Sequence, residues 1–298
     1  MSATTELRWP RDGSLAVSIV VVVEEGGERT PADGDGIPEP FTEGYSPEGQ
    51  WRNWFVESMW EYGPRAGLGR ILDGLARHDV RASFALTSTG ARRNPDAVRR
   101  ILTEGHEIMA AGRRALPGPT LTVDEERTNI LEGAAELAAL VANIEPQAVP
   151  VGWFGRWPTA GTARAVLESG LRYTSDSHAA DAPFRLDLET GTLLAIPWTP
   201  DLDDSRFWCD PRMAGYRTAD DFLDVMERTA RTLVREATHS PRMMTIVLRP
   251  RISGHPARFG AIERFMERLR HDAHIRFLTR REIMQVWDGR ASERTHAS

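Results

Sequence analysis

The chain has 298 residues, 41% hydrophobic and 27% charged, with a formal net charge of −6; this is an ordinary globular mixture, large enough to bury its own core. Its single cysteine, Cys209, excludes an internal disulfide framework and a cysteine-rich zinc site, and a cytoplasmic setting is the expectation. Without a basic block, nucleic acid is excluded as a partner; MSATTELRWP shows no secretory leader, and the longest apolar run, LAVSIVVVV, has about half the length needed to cross a bilayer, so no membrane partner is expected.

Leu15–Val23 is an unbroken β-branched run, the pattern of a strand covered on both faces. Residues 26–53, rich in glycine, proline and acid without a period, predict a long loop near the ligand site. Helical and extended segments then alternate. The pattern predicts a helix over Pro64–Arg77, a strand over Arg81–Thr87, a helix over Pro95–Glu104 stopped by Gly105, and a short strand over His106–Ala110. Thr122 and Glu125 form a capping box before a helix whose stripe is Ile130, Ala134, Leu137, Val141 and Ile144. Strands are predicted over Gln147–Trp153, Leu171–Thr174, Leu193–Trp198, Met243–Leu248 and Ile275–Leu278, interspersed with helices at Thr162–Ser169, from Thr218, around Phe259–Leu269 and near Arg281–Trp287. Residues 289–298 are expected to fray.

Seven or eight βα units without a linker predict a single α/β barrel-like domain over 1–298. A doubly wound sheet is the alternative, but no glycine-rich phosphate fingerprint follows the first strand. In a barrel, ligands bind at the loops that follow the strands. Those loops hold Glu24 to Gly27, Gly112 to Arg114, Gly152 to Trp157, Ser175 to Asp181, Pro197 to Trp208 and Leu248 to Arg251. Polar and aromatic residues thus gather at one end, which points to a pocket without naming a reaction.

The segments VVEEGGE, ESMWEYGPRAG, NPDAVRRILTEGHEI, GWFGR, YTSDSHAAD, DLDDSRF and MMTIVLRPRISGHPAR, in that order from Val22 to Arg258, resemble the polysaccharide deacetylase-like (NodB-like) superfamily, and within it the metal-independent allantoinases. The resemblance implies a distorted (β/α)7 barrel, hydrolysis of a non-peptide C–N bond and a homo-oligomer. It places Glu24 and Glu25 where superfamily deacetylases carry an aspartate pair, one acting as base and one binding metal. It places Ala111 and Arg249 where the allantoinase branch keeps histidines. Zinc needs three or more well-placed ligands, so the expectation is an enzyme without metal or other cofactor; His178 with Asp176 and Asp181 is the one remaining set that can offer ligands.

Glu24 is then the candidate general base, with Glu25 and Glu61 as further catalytic candidates. For the pair, capping of loop amides is the plain alternative; Glu61 and Arg65, spaced i,i+4, can equally form a surface ion pair. Arg249 can be neither base nor ligand, but it can clamp a carboxylate or an oxyanion; a structural salt bridge is its alternative. Substrate-binding candidates beside it are Arg156, Trp157, Trp198, Trp208, Asp204 and Tyr62. Several indoles with arginines suit a flat, aromatic, anionic small molecule larger than allantoin. The expected function is metal-independent action on a small cyclic amide, imide or ureide-like compound. The alternatives are a repurposed cyclase, isomerase or lyase of specialised metabolism, and a non-catalytic small-molecule-binding protein.

Overall fold

Every residue of strand β1, Leu15–Val23, is buried, and its two faces enter two separate apolar clusters. Ala16, Val20 and Val22 join one cluster with Ala85, Met109, Phe154, Tyr173, Leu194 and Val247. Leu15, Val17, Ile19, Val21 and Val23 join the other, which holds the helix residues. Side chains alternate across a strand, so the first cluster is the barrel interior and the second lies between sheet and helices. This computed structural model describes residues 9–36, 39, 53–155, 157–208, 215–238 and 240–296, without the side chains of 208 and 290–296.

After β1, helix α1 (Trp54–Tyr62) passes through a π-helical turn (Gly63–Gly67) into α2 (Leu68–Arg77). There follow β2 (Ser83–Leu86), α3 (Ser88–Arg93), α4 (Pro95–Thr103), β3 (Glu107–Ala110), α5 (Val123–Ala142), β4 (Gly152–Trp153), α6 (Thr162–Glu168) and β5 (Tyr173–Thr174). The chain ends with β6 (Phe184–Leu188), β7 (Gly191–Ala195), α7 (Ala219–Glu236), β8 (Arg242–Leu248), α8 (Pro250–Ser253), α9 (Pro256–Leu269), β9 (Ile275–Phe277) and α10 (Arg280–His296). Strands β8, β1, β2, β3, β4, β5 and β7 are successive parallel neighbours, the seven staves of a distorted (β/α)7 barrel. β6 pairs antiparallel with β7, and β9 pairs with the first residues of β1.

Between β7 and β8 the barrel is joined by side chains and by the segment after β7. Thr245 donates from Oγ1 to the Pro197 carbonyl at 2.9 Å, and Asp203 bridges Val247. Arg280, fully buried at the start of α10, donates to the carbonyls of Ile196 and Pro197 and to Thr245 Oγ1, at 2.5, 3.1 and 2.9 Å. Burial pulls its pKa down to about 10, against the opposing influence of Tyr173, Glu107 and Asp176. It therefore stays charged at neutral pH. Glu107, buried beside it, accepts from Ser83 Oγ and Tyr173 Oη, both at 2.7 Å.

The structure departs from the sequence reading in several places: α3 has no counterpart in that reading, and α10 runs on to His296 where residues from 289 were expected to fray. The first helix begins at Trp54, ten residues before Pro64, with the Asn53 side chain capping Val56 N at 3.3 Å. Pro64 has no N–H, and the π turn shifts the hydrogen-bond register around it. The strand expected over Gln147–Trp153 shortens to Gly152–Trp153, since Pro146 and Pro150 supply no ladder donors. The β6 strand, passed over in the sequence, has the alternating half-buried and exposed pattern of FRLDL. The capping box expected at Thr122 forms, and a second one, not read from the sequence, forms at Thr218 with Asp221. No helix among the described residues is long and apolar enough to cross a membrane.

Candidate functional site

Glu24 continues the inward phase of β1 after Val22, and Arg249 continues that of β8 after Val247. Both thus arrive at the mouth of the barrel. Arg249 Nε is 3.9 Å from Glu24 Oε2. The closer partner of Glu24 is Arg251, whose Nη2 lies 2.6 Å from Glu24 Oε2. The Arg251 guanidinium is stacked 3.8 Å over the ring of Trp60, on α1. A cation paired on one side and backed by an indole on the other is held in a single orientation. Its remaining terminal nitrogen, Nη1, is buried and makes no hydrogen bond; it faces Glu25 Oε1 at 3.5 Å.

Glu25 falls in the opposite phase. Its carboxyl group lies against Gly63 in the π turn, where an added Cβ would come within 2.5 Å of Glu25 Oε1. It accepts from the Arg251 backbone N–H at 3.2 Å. Burial raises its pKa to about 7, although Arg251 pulls the other way. Glu25 is therefore a support beneath the helix, and its expected catalytic role is replaced by one in holding Arg251 and the turn together.

The expectation that Arg249 clamps a substrate anion also gives way. Its Nη1 donates to Asp203 Oδ1 at 2.6 Å and Asp204 Oδ1 at 2.9 Å, and its backbone N–H donates to Asp204 Oδ2 at 2.5 Å. Burial works against its charge, but Asp203, Asp204 and Glu24 together hold its pKa above the ordinary value. Asp204, raised to about 6 by burial despite Arg249, is wholly buried and pins Arg249 in place of a ligand. The cation of Arg249 is already neutralised by the protein.

Glu61 meets Arg65 at 3.0 Å in a half-exposed i,i+4 pair, the plain alternative for those residues. Tyr62 stacks on His255 with ring centroids 3.9 Å apart, donates to the Gly254 carbonyl at 3.3 Å and accepts from Arg70 at 2.8 Å. It fastens α1 to the segment after β8. Trp198, half-buried, is at the mouth in the inward phase of β7, 5.8 Å from Phe154 and 4.4 Å from His178 between ring centroids. Trp157 is 68% exposed, with φ at +54°. Arg156 and the side chain of Trp208 lie outside the described residues.

The set of His178, Asp176 and Asp181 does not converge. Both Asp176 oxygens are engaged, by Trp153 Nε1 at 2.7 Å and Gly155 N at 2.8 Å, while His178 is exposed and packs on Trp198. The superfamily's metal does not fit the groups at the mouth either. Glu25 faces away, Ala111 presents a methyl group, Arg249 presents a cation, and no three His, Cys, Asp or Glu among the described residues are placed to hold a metal ion. What the arrangement offers is a buried carboxylate, a fixed guanidinium with a spare donor, and an indole beside them.

Arg251, Asp203 and Trp60 are the parts that were not singled out from the sequence as site residues. Arg251 stands in the LRPR loop, but Pro250 turns the chain into α8 and swings Arg251 back onto Glu24. Alternation alone would keep residue 251 in the inward phase but farther out along the strand axis than Arg249.

Comparison with known proteins agrees with this fold. The polysaccharide deacetylase family model matches residues 53–168. A Schizosaccharomyces pombe protein named for polysaccharide deacetylase is 27% identical over 302 residues, covering 95% of this chain and 92% of that protein. A crystal structure from Pseudomonas aeruginosa PAO1, also named for polysaccharide deacetylase, is 32% identical with a TM-score of 0.86, over 94% of this chain and 92% of that one. The crystal structure of Puue allantoinase is likewise 32% identical, with a TM-score of 0.88 over 97% of this chain and 95% of that one. With this identity extending over nearly the whole of each chain, the protein belongs to the polysaccharide deacetylase (NodB-like) family.

Proposed function

We propose that this protein hydrolyses a C–N bond of a small cyclic amide, imide or ureide, without a metal ion, using Glu24 as general base. The observation that carries this reading is the Glu24–Arg251 pair at the barrel mouth, 2.6 Å apart, with Arg251 Nη1 buried, making no hydrogen bond and only 3.5 Å from Glu25 Oε1. Glu24 accepts a proton from water as the water oxygen attacks the ring carbonyl. Negative charge develops on the carbonyl oxygen, and a guanidinium N–H not committed to a hydrogen bond is suited to meet it. Collapse of the tetrahedral intermediate breaks the C–N bond, and the proton returns from Glu24 to the leaving nitrogen. Trp198 forms one wall against a flat ring. The saturation of Arg249 by aspartates favours a neutral ring over the anionic one that the sequence suggested.

A second reading is favoured by the same pair: ion pairing weakens a carboxylate as a base toward water. A repurposed cyclase, isomerase or lyase would use Glu24 and Arg251 on an activated substrate with no water step.

The test is turnover of hydantoin, allantoin and cyclic imides by the whole chain, with and without a chelator. Ring opening that survives chelation and falls by about 10²-fold or more in Glu24→Gln supports hydrolysis. Ring opening abolished by chelator and restored by a divalent ion overturns it; binding without ring opening favours the second reading or a binding protein.

A further inference from the structure

We infer that Trp157 is a ring-stacking platform on the rim of the site, held out into solvent by a turn built for that purpose. This rests on the reading of the site given above. The indole is 68% exposed, yet the backbone beneath it is strained: φ at Trp157 is +54°, a left-handed conformation that a bulky residue adopts rarely and at a cost. With most of the ring in solvent, packing does little to offset that cost. Glycine or asparagine would occupy the position more easily.

The turn is fastened on both sides. Before Trp157, Gly155 N donates to Asp176 Oδ1 at 2.8 Å, and Asp176 is itself held by Trp153 Nε1 at 2.7 Å. After it, Thr159 donates from Oγ1 to Glu126 Oε2 at 2.5 Å and from its backbone to Thr162 Oγ1 at 2.8 Å, and Thr162 also donates to Glu126. Glu126 is buried on α5, so a carboxylate from the helical layer anchors this stretch. On the third side, Gly118 passes so close that a Cβ there would lie 2.6 Å from the Trp157 carbonyl oxygen. Hydrogen bonds on either side of Trp157 and the close backbone of Gly118 limit its freedom, so its exposed ring is presented at little further entropic cost.

The turn follows β4, at the mouth end of the barrel. Phe154, three residues before Trp157, is the inward residue that packs with Trp198. The ligand class that fits is the flat ring already proposed for the site, here with an aryl or other planar substituent reaching the rim. One indole at the mouth and one on the rim would meet the two ends of such a molecule.

The experiment measures binding of hydantoin and 5-phenylhydantoin to the full chain by titration calorimetry, together with thermal midpoints. Trp157→Ala should weaken 5-phenylhydantoin about five- to tenfold and hydantoin less than twofold, as loss of one aromatic stacking contact predicts. Trp157→Phe should recover most of the loss. Trp157→Gly should weaken binding equally while keeping or raising the thermal midpoint, because glycine relieves the left-handed backbone. Unchanged binding of 5-phenylhydantoin in Trp157→Ala overturns the platform and leaves the reading of the site standing. A lowered midpoint in Trp157→Gly overturns it as well, by showing the indole to be structural. Failure of the wild type to bind either ring sinks both.

Discussion

Arg251 Nη2 lies 2.6 Å from Glu24 Oε2, both groups are buried, and the same guanidinium rests 3.8 Å above Trp60. Removing one member of a buried ion pair strands the other, which typically costs about 3–5 kcal/mol. Arg251→Met should therefore destabilise the protein by about that amount, read from the midpoint of urea unfolding. Adding Glu24→Gln to Arg251→Met should return much of the loss, because no unpaired charge is left. Additive losses in the double variant would show that the two side chains are energetically independent.

Glu25 gives a pH signature of its own. Burial raises its pKa from 4.5 to about 7, so the folded protein binds this proton more tightly than the unfolded chain does. The stabilisation is complete below the unfolded value and is lost as pH climbs toward 7. Relative to Glu25→Gln, the wild type should lose about 1–3 kcal/mol between those limits and no more above them. Denaturation curves of the two proteins across that interval provide the check; parallel pH profiles would mean that Glu25 titrates normally.

At the junction of the π turn with α8, a methyl group has no room. A Cβ at Gly67 would sit 2.1 Å from the Pro250 carbonyl oxygen, a backbone atom that cannot rotate away. Gly67→Ala should cost about 2–4 kcal/mol through overpacking and displacement of α8, despite alanine being the better helix former. Because α8 carries Arg251, the same change should lower turnover of whichever ring compound proves to be the substrate. A thermal midpoint equal to that of the wild type would count against the close approach.

Much of this architecture was legible in the sequence. The β-branched run of β1, the capping box at Thr122, the helix start at Thr218 and the grouping of polar loops at strand ends all follow from local rules that the structure obeys. The direction of Glu25 was legible too, since adjacent strand residues face opposite sides. The identity of the arginine at Glu24 was not. It depends on how Pro250 redirects two residues after a strand, and on an indole thirty-six positions beyond Glu24 that backs the guanidinium. The helix start at Trp54 was hidden because Pro64 reads as a beginning; only a π turn makes it an interior residue.

The seam between β7 and β8 makes a fourth prediction. Arg280 spans it with three donated hydrogen bonds, two of them to carbonyls that have no strand partner in that direction. Arg280→Met should cost about 3–5 kcal/mol by leaving Glu107 and those carbonyls uncompensated. Amide exchange should quicken first in β7 and β8, ahead of β2 and β3. Uniform quickening over all the strands would indicate that Arg280 supports the barrel generally and not this joint.

Translation runs from one end of the polypeptide to the other, and that order bears on the clasp. Strand β1 is synthesised before the other strands, whereas Arg280 follows the last of them, β9. The nascent chain must therefore remain open-sided until Arg280 has been made, with apolar strand edges in need of shelter. Premature termination before α10 would release a product lacking its fastener, and such a fragment should be a target for chaperones and proteases even though every stave of the barrel is present.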